Sequence, residues 1–165
     1  MNTIAQAAAR GGVQPGATFD ALAKLVKDTL GVRLFTVMEL DHACGVARRT
    51  YTNMPDAYPV SGEKPMEHNR WSDQVEGRHE TFVANSIAEI AEVFPDHELI
   101  KSLGCESCLN LPIVVNGKVL GTLNCLDAEG HFTPERVAAA ETLKPAGVLA
   151  LLVAERTRHE GAENG

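Results

Sequence analysis

Residues 105–127, CESCLNLPIVVNGKVLGTLNCLD, contain two apolar runs separated by Asn116-Gly117. An Asn-Gly pair is typical of a type I′ β-turn, because both central residues of that turn need a positive φ, which Asn and Gly tolerate. The stretch therefore predicts a β-hairpin. If the pairing continues without interruption from the turn, Cys108 lies directly opposite Cys125.

Both faces of this hairpin are largely apolar, which predicts that it lies inside a layered domain. The uninterrupted register puts Asn110 and Asn124 on opposite faces, so at most one of them could line a pocket. A β-bulge near Pro112 would shift the register and change this arrangement. Each of the two amides could instead be satisfied by a hydrogen bond to the backbone.

The composition is that of a soluble globular protein, with 44% hydrophobic and 22% charged residues in a chain of 165. This length predicts one domain with a sizeable core. The net charge of −7 argues against nucleic acid or an anionic membrane as the main partner. No apolar run approaches the ~18 residues of a membrane span, and the N-terminus lacks a signal-peptide pattern. We therefore expect a cytoplasmic protein with reduced cysteines.

The first half of the chain predicts a helix followed by two strands. Apolar residues recur at helical spacing between an N-cap at Thr18 and a C-terminal stop at Gly31. Strands are predicted over residues 33–40 and 46–51. Before the helix, residues 1–17 are small and polar, and they predict a flexible N-terminal tail.

The middle of the chain predicts loops and short elements. Residues 53–66 hold three prolines and a glycine, a composition that predicts a long loop of the kind that often binds a ligand or covers a site. A short helix is predicted around Trp71, and a short strand over residues 80–84. Two further short helices are predicted to begin at Ser86 and at Pro95.

The end of the chain predicts one long helix. It begins at a Thr133 N-cap and runs to about Arg158, with a kink at Pro145. Residues 159–165 predict a disordered tail. Terminal helices that flank an antiparallel sheet make an α+β domain, which we place at residues 18–158.

This arrangement resembles the GAF domain family over roughly residues 18–155. The resemblance rests on FDALAKLVKDTLG, on LFTVMEL, and above all on LNLPIVVNGKVLGTLNCLD followed by FTPERVAAAETLKPAGVLALLV. It implies a GAF-like, profilin-like antiparallel sheet of five to six strands. The terminal helices would lie on one face, and loops and short helices would form a pocket on the other. It also implies a homodimer built on the terminal helices; the apolar stretch 146–153 could form its seam or simply pack on the sheet.

The resemblance further implies a sensory or regulatory domain that binds a small molecule. The signatures of the cyclic-nucleotide-binding and chromophore-binding branches are absent, so a nucleotide or a bilin is disfavoured. Trp71 could form an aromatic wall beside Arg70, or it could simply anchor a short helix. We expect neither a metal ion nor a cofactor. The candidate ligand-binding residues are Trp71, Arg70, Tyr51, Tyr58, Cys105, Glu106, Asn110 and Asn124.

The cysteines leave three interpretations open. Cys105 and Cys108 form a CxxC motif that follows a helix and enters a strand, so it lacks the helix N-terminus that lowers a thiol pKa in thioredoxin-like proteins. The thiols could be buried and behave as small apolar groups. They could take part in redox chemistry, or they could hold a metal ion together with Cys125 and a fourth ligand from His97 or Cys44.

A thiol-dependent reductase is the alternative function. Cys105 stands close to where the free methionine-(R)-sulfoxide reductases, a branch of the same family, carry their nucleophile, and Cys108 could resolve the oxidised form. The resemblance is incomplete, because no upstream resolving cysteine lies between Cys44 and Cys105. The paired carboxylates of that branch are replaced here by Asn124 and Leu126.

Overall fold

A six-stranded antiparallel sheet forms the centre of the computed structural model, which describes residues 3–165. The strand order is β3-β2-β1-β6-β5-β4. The bounds are Leu34–Asp41 for β1, Val46–Thr52 for β2, Lys64–Pro65 for β3, Phe82–Ala84 for β4, Ser107–Val115 for β5 and Lys118–Asp127 for β6. The predicted α+β architecture is confirmed.

Helices cover both faces of this sheet. Their bounds are Thr3–Ala8 for α1, Gly16–Leu30 for α2, Arg70–Ser72 for α3, Ile87–Ala91 for α4, His97–Ser102 for α5, Pro134–Glu141 for α6 and Lys144–Glu163 for α7, and a short π-helix spans Asp73–Gly77. The terminal helices α1, α2, α6 and α7 pack on one face, and the short middle elements pack on the other.

Each face of the sheet buries its own apolar cluster, because successive strand residues point to opposite sides. On the face of the terminal helices, Phe35 packs with Phe19 of α2 and Leu151 of α7. On the opposite face, its neighbour Leu34 packs with Trp71. We call these the helix face and the loop face.

The turn of the hairpin is as predicted. Asn116 and Gly117 have φ values of 51° and 76°, the positive values that a type I′ turn requires. Val115 pairs with Lys118 across it.

A β-bulge in β6 interrupts the hairpin three residues after the turn. Val114 pairs with Val119, but Ile113 pairs with Gly121, so Leu120 is an extra residue in β6. Gly121 is needed beside the bulge, because a Cβ atom there would collide with the carbonyl oxygen of Met38 on β1.

The bulge makes the predicted Cys108–Cys125 pairing wrong. Cys125 pairs with Leu109, and Cys108 pairs with Leu126. Cys125 therefore belongs to the helix-face cluster, whereas Cys108 and Cys105 belong to the loop-face cluster. Successive residues of a strand point to opposite faces. The one extra residue therefore reverses, relative to β5, the face predicted for every side chain of β6 beyond the bulge.

The N-terminal segment is more ordered than its composition predicts. Residues 1–17 predict a flexible tail, but α1 forms within it and buries Ile4 and Ala7; Met1 and Asn2 lie outside the described residues. The predicted Thr18 N-cap is wrong, since α2 begins at Gly16 and the Thr18 hydroxyl donates to Oε1 of Gln14 at 2.6 Å.

The C-terminal helix is broken where the sequence predicts a kink. Thr133 caps α6 as expected, accepting a hydrogen bond from the backbone of Arg136. The chain bends by 46° between α6 and α7, just before Pro145, which lies in the first turn of α7. Residues 159–163 are predicted from the sequence to be disordered, but in the structure they continue α7. No single described helix has the length and composition of a membrane span, although α6 and α7 taken together do.

Candidate functional site

A cavity of about 340 Å³ lies on the loop face of the sheet. Its floor consists of side chains of β1, β2, β5 and β6. Its walls come from α3, the π-helix, the loop between β2 and α3, and the segment that leads into α5. The cavity therefore lies where the chain departs most from regular structure, on the face that the terminal helices leave free.

A row of polar side chains crosses the cavity floor. Thr36 on β1 pairs with Asn124 on β6, and Asn124 pairs with Asn110 on β5. The bulge at Leu120 brings the two asparagines onto one face, so both line the cavity. From the sequence, both asparagines are predicted to line a pocket only if a bulge shifts the register of the hairpin.

Side-chain hydrogen bonds join this row into one chain, which we call the amide chain. The indole Nε1 of Trp71 donates to Oδ1 of Asn110 at 2.9 Å. Nδ2 of Asn110 donates to Oδ1 of Asn124 at 2.8 Å, and Nδ2 of Asn124 donates to the hydroxyl oxygen of Thr36 at 3.2 Å.

The indole fixes the direction of the whole amide chain. An indole N–H can only donate, so the atom of Asn110 that faces Trp71 must be its oxygen. The nitrogen of Asn110 then faces Asn124, which must present its own oxygen and direct its nitrogen at Thr36. The second N–H of each amide and the hydroxyl proton of Thr36 form no hydrogen bond within the amide chain. The floor is consequently rich in hydrogen-bond donors.

Trp71 is both a packing anchor and a cavity wall. Asn69 caps α3 through a reciprocal pair of bonds with Ser72, which fixes the start of the helix. The Trp71 side chain is 9% exposed, and its ring meets that of Phe94 edge to face at a centroid distance of 6.3 Å. Trp71 therefore anchors the short helix and also lines the cavity, while Arg70 does not.

Tyr58 ties the long loop to α5 at the cavity. Its hydroxyl donates to Oδ2 of Asp96 at 2.6 Å. The guanidinium of Arg49 lies 3.8 Å above the Tyr58 ring, and it donates to the carbonyl of Pro59 at 2.9 Å. Burial and the bond to Asp96 raise the pKa of Tyr58, so the hydroxyl stays protonated and acts as a donor.

Four of the candidate residues lie together at the cavity, namely Trp71, Tyr58, Asn110 and Asn124. Tyr51 lies on the helix face, 5.7 Å from the ring of Phe19. Burial raises the pKa of Tyr51 to about 12. The Tyr51 ring is therefore part of the core rather than of the cavity.

Three further candidates lie outside the cavity lining. Arg70 points away and forms an exposed ion pair of 2.9 Å with Glu92. Cys105 is fully buried in the loop-face cluster. Glu106 is half-buried, and its backbone N–H donates to the carbonyl of Asp127.

Several lining residues were not predicted from the sequence. Thr36 and Arg49 lie on strands. Simple alternation along β2 would put Arg49 on the same face as Tyr51, and the two lie on opposite faces because a register shift leaves Thr50 as an extra residue in β2. Glu76 and Asp96 lie on short elements whose position against the sheet has no local sequence signal. Without the sheet register, no local pattern distinguishes Arg49 from Arg70.

The cysteines provide no activated thiol. Burial raises the pKa of Cys105 to about 11, and the pKa values of Cys108 and Cys125 to about 12. Of the three, Cys108 lines the cavity. Cys44 is exposed, and the charge of Asp41 raises its pKa. Residues 3–165 contain no group of three or more side chains placed to hold a metal ion.

The antiparallel sheet, with terminal helices on one face and a cavity of about 340 Å³ on the other, defines an α+β domain with a large concave site. The sequence profile of the GAF domain matches residues 14–143. The chain belongs to the GAF domain family. Comparison with curated protein sequences gives no match.

Solved structures of GAF domains share this fold. One is the GAF domain of a phosphoenolpyruvate-protein phosphotransferase from Coxiella burnetii, with 21% identity, coverage of 96% of this chain and 92% of that one, and a TM-score of 0.66. The GAF domain of a two-component sensor histidine kinase from Bacillus halodurans has 16% identity, coverage of 86% and 97%, and a TM-score of 0.62. The free methionine-R-sulfoxide reductase of Neisseria meningitidis, solved with its substrate, has 14% identity, coverage of 94% and 87%, and a TM-score of 0.65.

Proposed function

We propose that this GAF domain is a regulatory module that binds a small molecule in the loop-face cavity. The observation that carries the proposal is the amide chain on the cavity floor. Buried polar groups are normally satisfied by the protein, yet Asn110, Asn124 and Thr36 line an open volume and keep donors for which no acceptor is seen among residues 3–165.

The walls of the cavity suit a ligand with an apolar body. Trp71, Phe94, Met38 and Leu126 provide aromatic and aliphatic surface around the polar floor. A pocket with mostly apolar walls and a few fixed polar groups is the usual form of a small-molecule site. One structural neighbour is the GAF domain of a sensor histidine kinase, and this similarity supports a sensory role.

The reductase alternative has less support. Its nucleophile would be Cys105, which does not line the cavity. Burial raises the pKa of Cys105 to about 11, which disfavours the thiolate that sulfoxide reduction needs. The similarity to the methionine-R-sulfoxide reductase concerns the fold.

A homodimer through the terminal helices is part of the proposal. The α7 helix buries Gly147, Ala150 and Leu151 against the rest of the domain, while Leu152 is 42% exposed on its outer side. Size-exclusion chromatography with light scattering tests this proposal. A dimer that becomes a monomer in Leu152→Glu supports it, and a monomer in the unmodified protein contradicts it.

The ligand proposal is tested by thermal unfolding of the protein with a panel of small metabolites. We expect at least one compound to raise the Tm by about 5 °C when its concentration exceeds its Kd about a hundredfold. Thr36→Val removes a donor of the floor without changing the side-chain shape, and it should weaken that compound about tenfold. The matched control is Thr157→Val, on α7 and far from the cavity, which should leave the affinity unchanged.

A further inference from the structure

The charged side chains that line the cavity balance in number. They are three cations and three carboxylates, namely Arg48, Arg49, Lys64, Glu67, Glu76 and Asp96. The sum of the charges therefore does not decide what the cavity binds. The decisive point is which of these groups already has a partner in the protein.

Two of the lining cations are paired or exposed. Nη2 of Arg48 lies 3.1 Å from Oε1 of Glu63, although the buried Nε of Arg48 has no partner among residues 3–165. Lys64 is exposed on β3. Within the part of the chain that the structure describes, Arg49 is therefore the half-buried lining cation without a counter-charge.

Arg49 is held in place by neutral groups. Its guanidinium lies 3.8 Å from the centre of the Tyr58 ring, and Nη1 donates to the carbonyl oxygen of Pro59 at 2.9 Å. These contacts fix the side chain but leave most of its N–H donors unused. A fixed guanidinium with unused donors is suited to bind a planar anion.

The unused donors of the amide chain lie next to Arg49. Arg49 pairs with Met38 on β1, two residues along from Thr36, and all three residues line the cavity. The hydroxyl proton of Thr36 and the second N–H of Asn124 have no acceptor within the described residues. A cation and neutral donors therefore lie on the same face of neighbouring strands.

The lining carboxylates do not saturate these donors. Asp96 accepts the hydroxyl of Tyr58 at 2.6 Å, and Glu67 is exposed. Glu76 is half-buried, and burial raises its pKa, which favours its uncharged form relative to an exposed glutamate. The donors of Arg49 and of the floor therefore stay available to a ligand.

A carboxylate is the chemical group that matches this set of donors. It only accepts hydrogen bonds when ionised, and its two oxygens fit the planar fork of a guanidinium. An ammonium group at the same place would bring more donors to a floor that already lacks acceptors. A carboxamide would use the neutral donors but would gain no charge-assisted bond from Arg49.

We propose that the cavity binds a small organic acid whose carboxylate is held by Arg49, Thr36 and Asn124. The apolar body of the acid lies against the rings of Trp71 and Phe94, whose centres are 6.3 Å apart. The inference rests on the proposed function of the cavity as a ligand site and adds the chemical class of the ligand.

Three planar probes of nearly one shape test the proposal: benzoate, benzamide and benzamidinium. Each is titrated at neutral pH and constant ionic strength while the fluorescence of Trp71, the one tryptophan of the chain, is recorded. Ligands of this size are expected to reach a Kd of about 1 mM, so the titration extends to about 10 mM. We expect benzoate to bind about tenfold more tightly than benzamide, and benzamidinium to bind most weakly.

Two variants assign the preference to the guanidinium. Arg49→Gln should reduce the advantage of benzoate over benzamide from about tenfold to about twofold. Arg49→Lys should retain part of it, because the charge remains while the planar fork is lost. Arg156→Gln is the matched control, since it removes the same charge from an exposed site on α7, and it should keep the full preference. Far-UV circular dichroism confirms that each variant is folded before titration.

Three results would overturn the proposal. Benzamide or benzamidinium could bind as tightly as benzoate, or the preference for benzoate could persist in Arg49→Gln. Either result with a response from Trp71 leaves the ligand site in place and removes only the organic acid. The third result is no response to benzoate at about 10 mM, in which case the metabolite panel judges the ligand site separately.

Discussion

Nδ2 of Asn110 on β5 donates a 2.8 Å hydrogen bond to Oδ1 of Asn124 on β6. This bond exists because the bulge at Leu120 places both amides on the loop face. It connects Trp71 at the cavity wall with Thr36 at the far end of the floor. The packing of Trp71 and the candidate ligand site therefore both depend on the register that the bulge sets.

Removal of the central amide should destabilise the domain. Asn110→Ala leaves the buried indole N–H of Trp71 and the carbonyl of Asn124 without their partners, which we expect to lower the free energy of unfolding by about 1–3 kcal/mol. Urea unfolding measures this loss. Asn164→Ala, which removes an exposed amide at the end of α7, should change stability by less than about 0.5 kcal/mol. Equal losses in the two variants would contradict a satisfied amide chain.

The sequence predicts the elements better than their register. The Asn116-Gly117 pair contains all the chemistry of the turn, so the hairpin could be predicted from local residues. The bulge depends on contacts with another strand, since Gly121 approaches the backbone of Met38 on β1. No pattern within the hairpin indicates that contact.

The candidate site, like the hairpin, could be predicted only where the signal lies in neighbouring residues. Trp71 and Tyr58 could be predicted because large side chains beside a proline-rich loop commonly line pockets. The same reasoning predicts that Tyr51 lines the pocket, but its ring lies on the helix face beside Phe19. The bond from Tyr58 to Asp96 joins two segments 38 residues apart, which no local pattern reveals.

Thiol reactivity should divide the four cysteines into two groups. Cys44 is exposed, whereas burial raises the pKa of Cys105 to about 11 and the pKa values of Cys108 and Cys125 to about 12. Because the thiolate is the reactive form, a disulfide reagent at neutral pH should label one thiol of the native protein and all four after unfolding. Cys44→Ser should remove the fast phase. Fast labelling of Cys105 in the native protein would revive the reductase alternative.

Two glycines of α7 should respond to alanine in opposite directions. A Cβ atom at Gly147 would lie 2.6 Å from Cδ1 of the fully buried Ile113, so Gly147→Ala should destabilise the domain by about 1–3 kcal/mol. Gly161 has no atom near its Cβ position, and Gly161→Ala should stabilise the helix by up to about 1 kcal/mol. Thermal unfolding compares the two. Stabilisation by Gly147→Ala would mean that α7 does not lie this close to the sheet.

One ion pair should hold the end of α7 to the sheet. Nη2 of Arg158 lies 2.6 Å from Oε2 of Glu39, a residue that is 7% exposed on β1. Arg158→Ala leaves this carboxylate buried without its partner, and we expect a loss of about 1–3 kcal/mol in urea unfolding. Arg156→Ala breaks an exposed pair with Glu160 on the same helix and should cost less than about 0.5 kcal/mol. A similar small loss in both variants would show that α7 is not anchored through Glu39.

The most direct measurement is a ¹H–¹⁵N correlation spectrum of the protein titrated with the compound that raises its Tm most. The chain has one tryptophan, so a single indole signal reports on Trp71, and the side-chain amides of Asn110 and Asn124 report on the floor. We expect these three signals to shift together and to saturate at the same Kd, while the amide of Asn164 stays in place. A stabilising compound that leaves the indole and both floor amides unmoved would show that the loop-face cavity is not the ligand site.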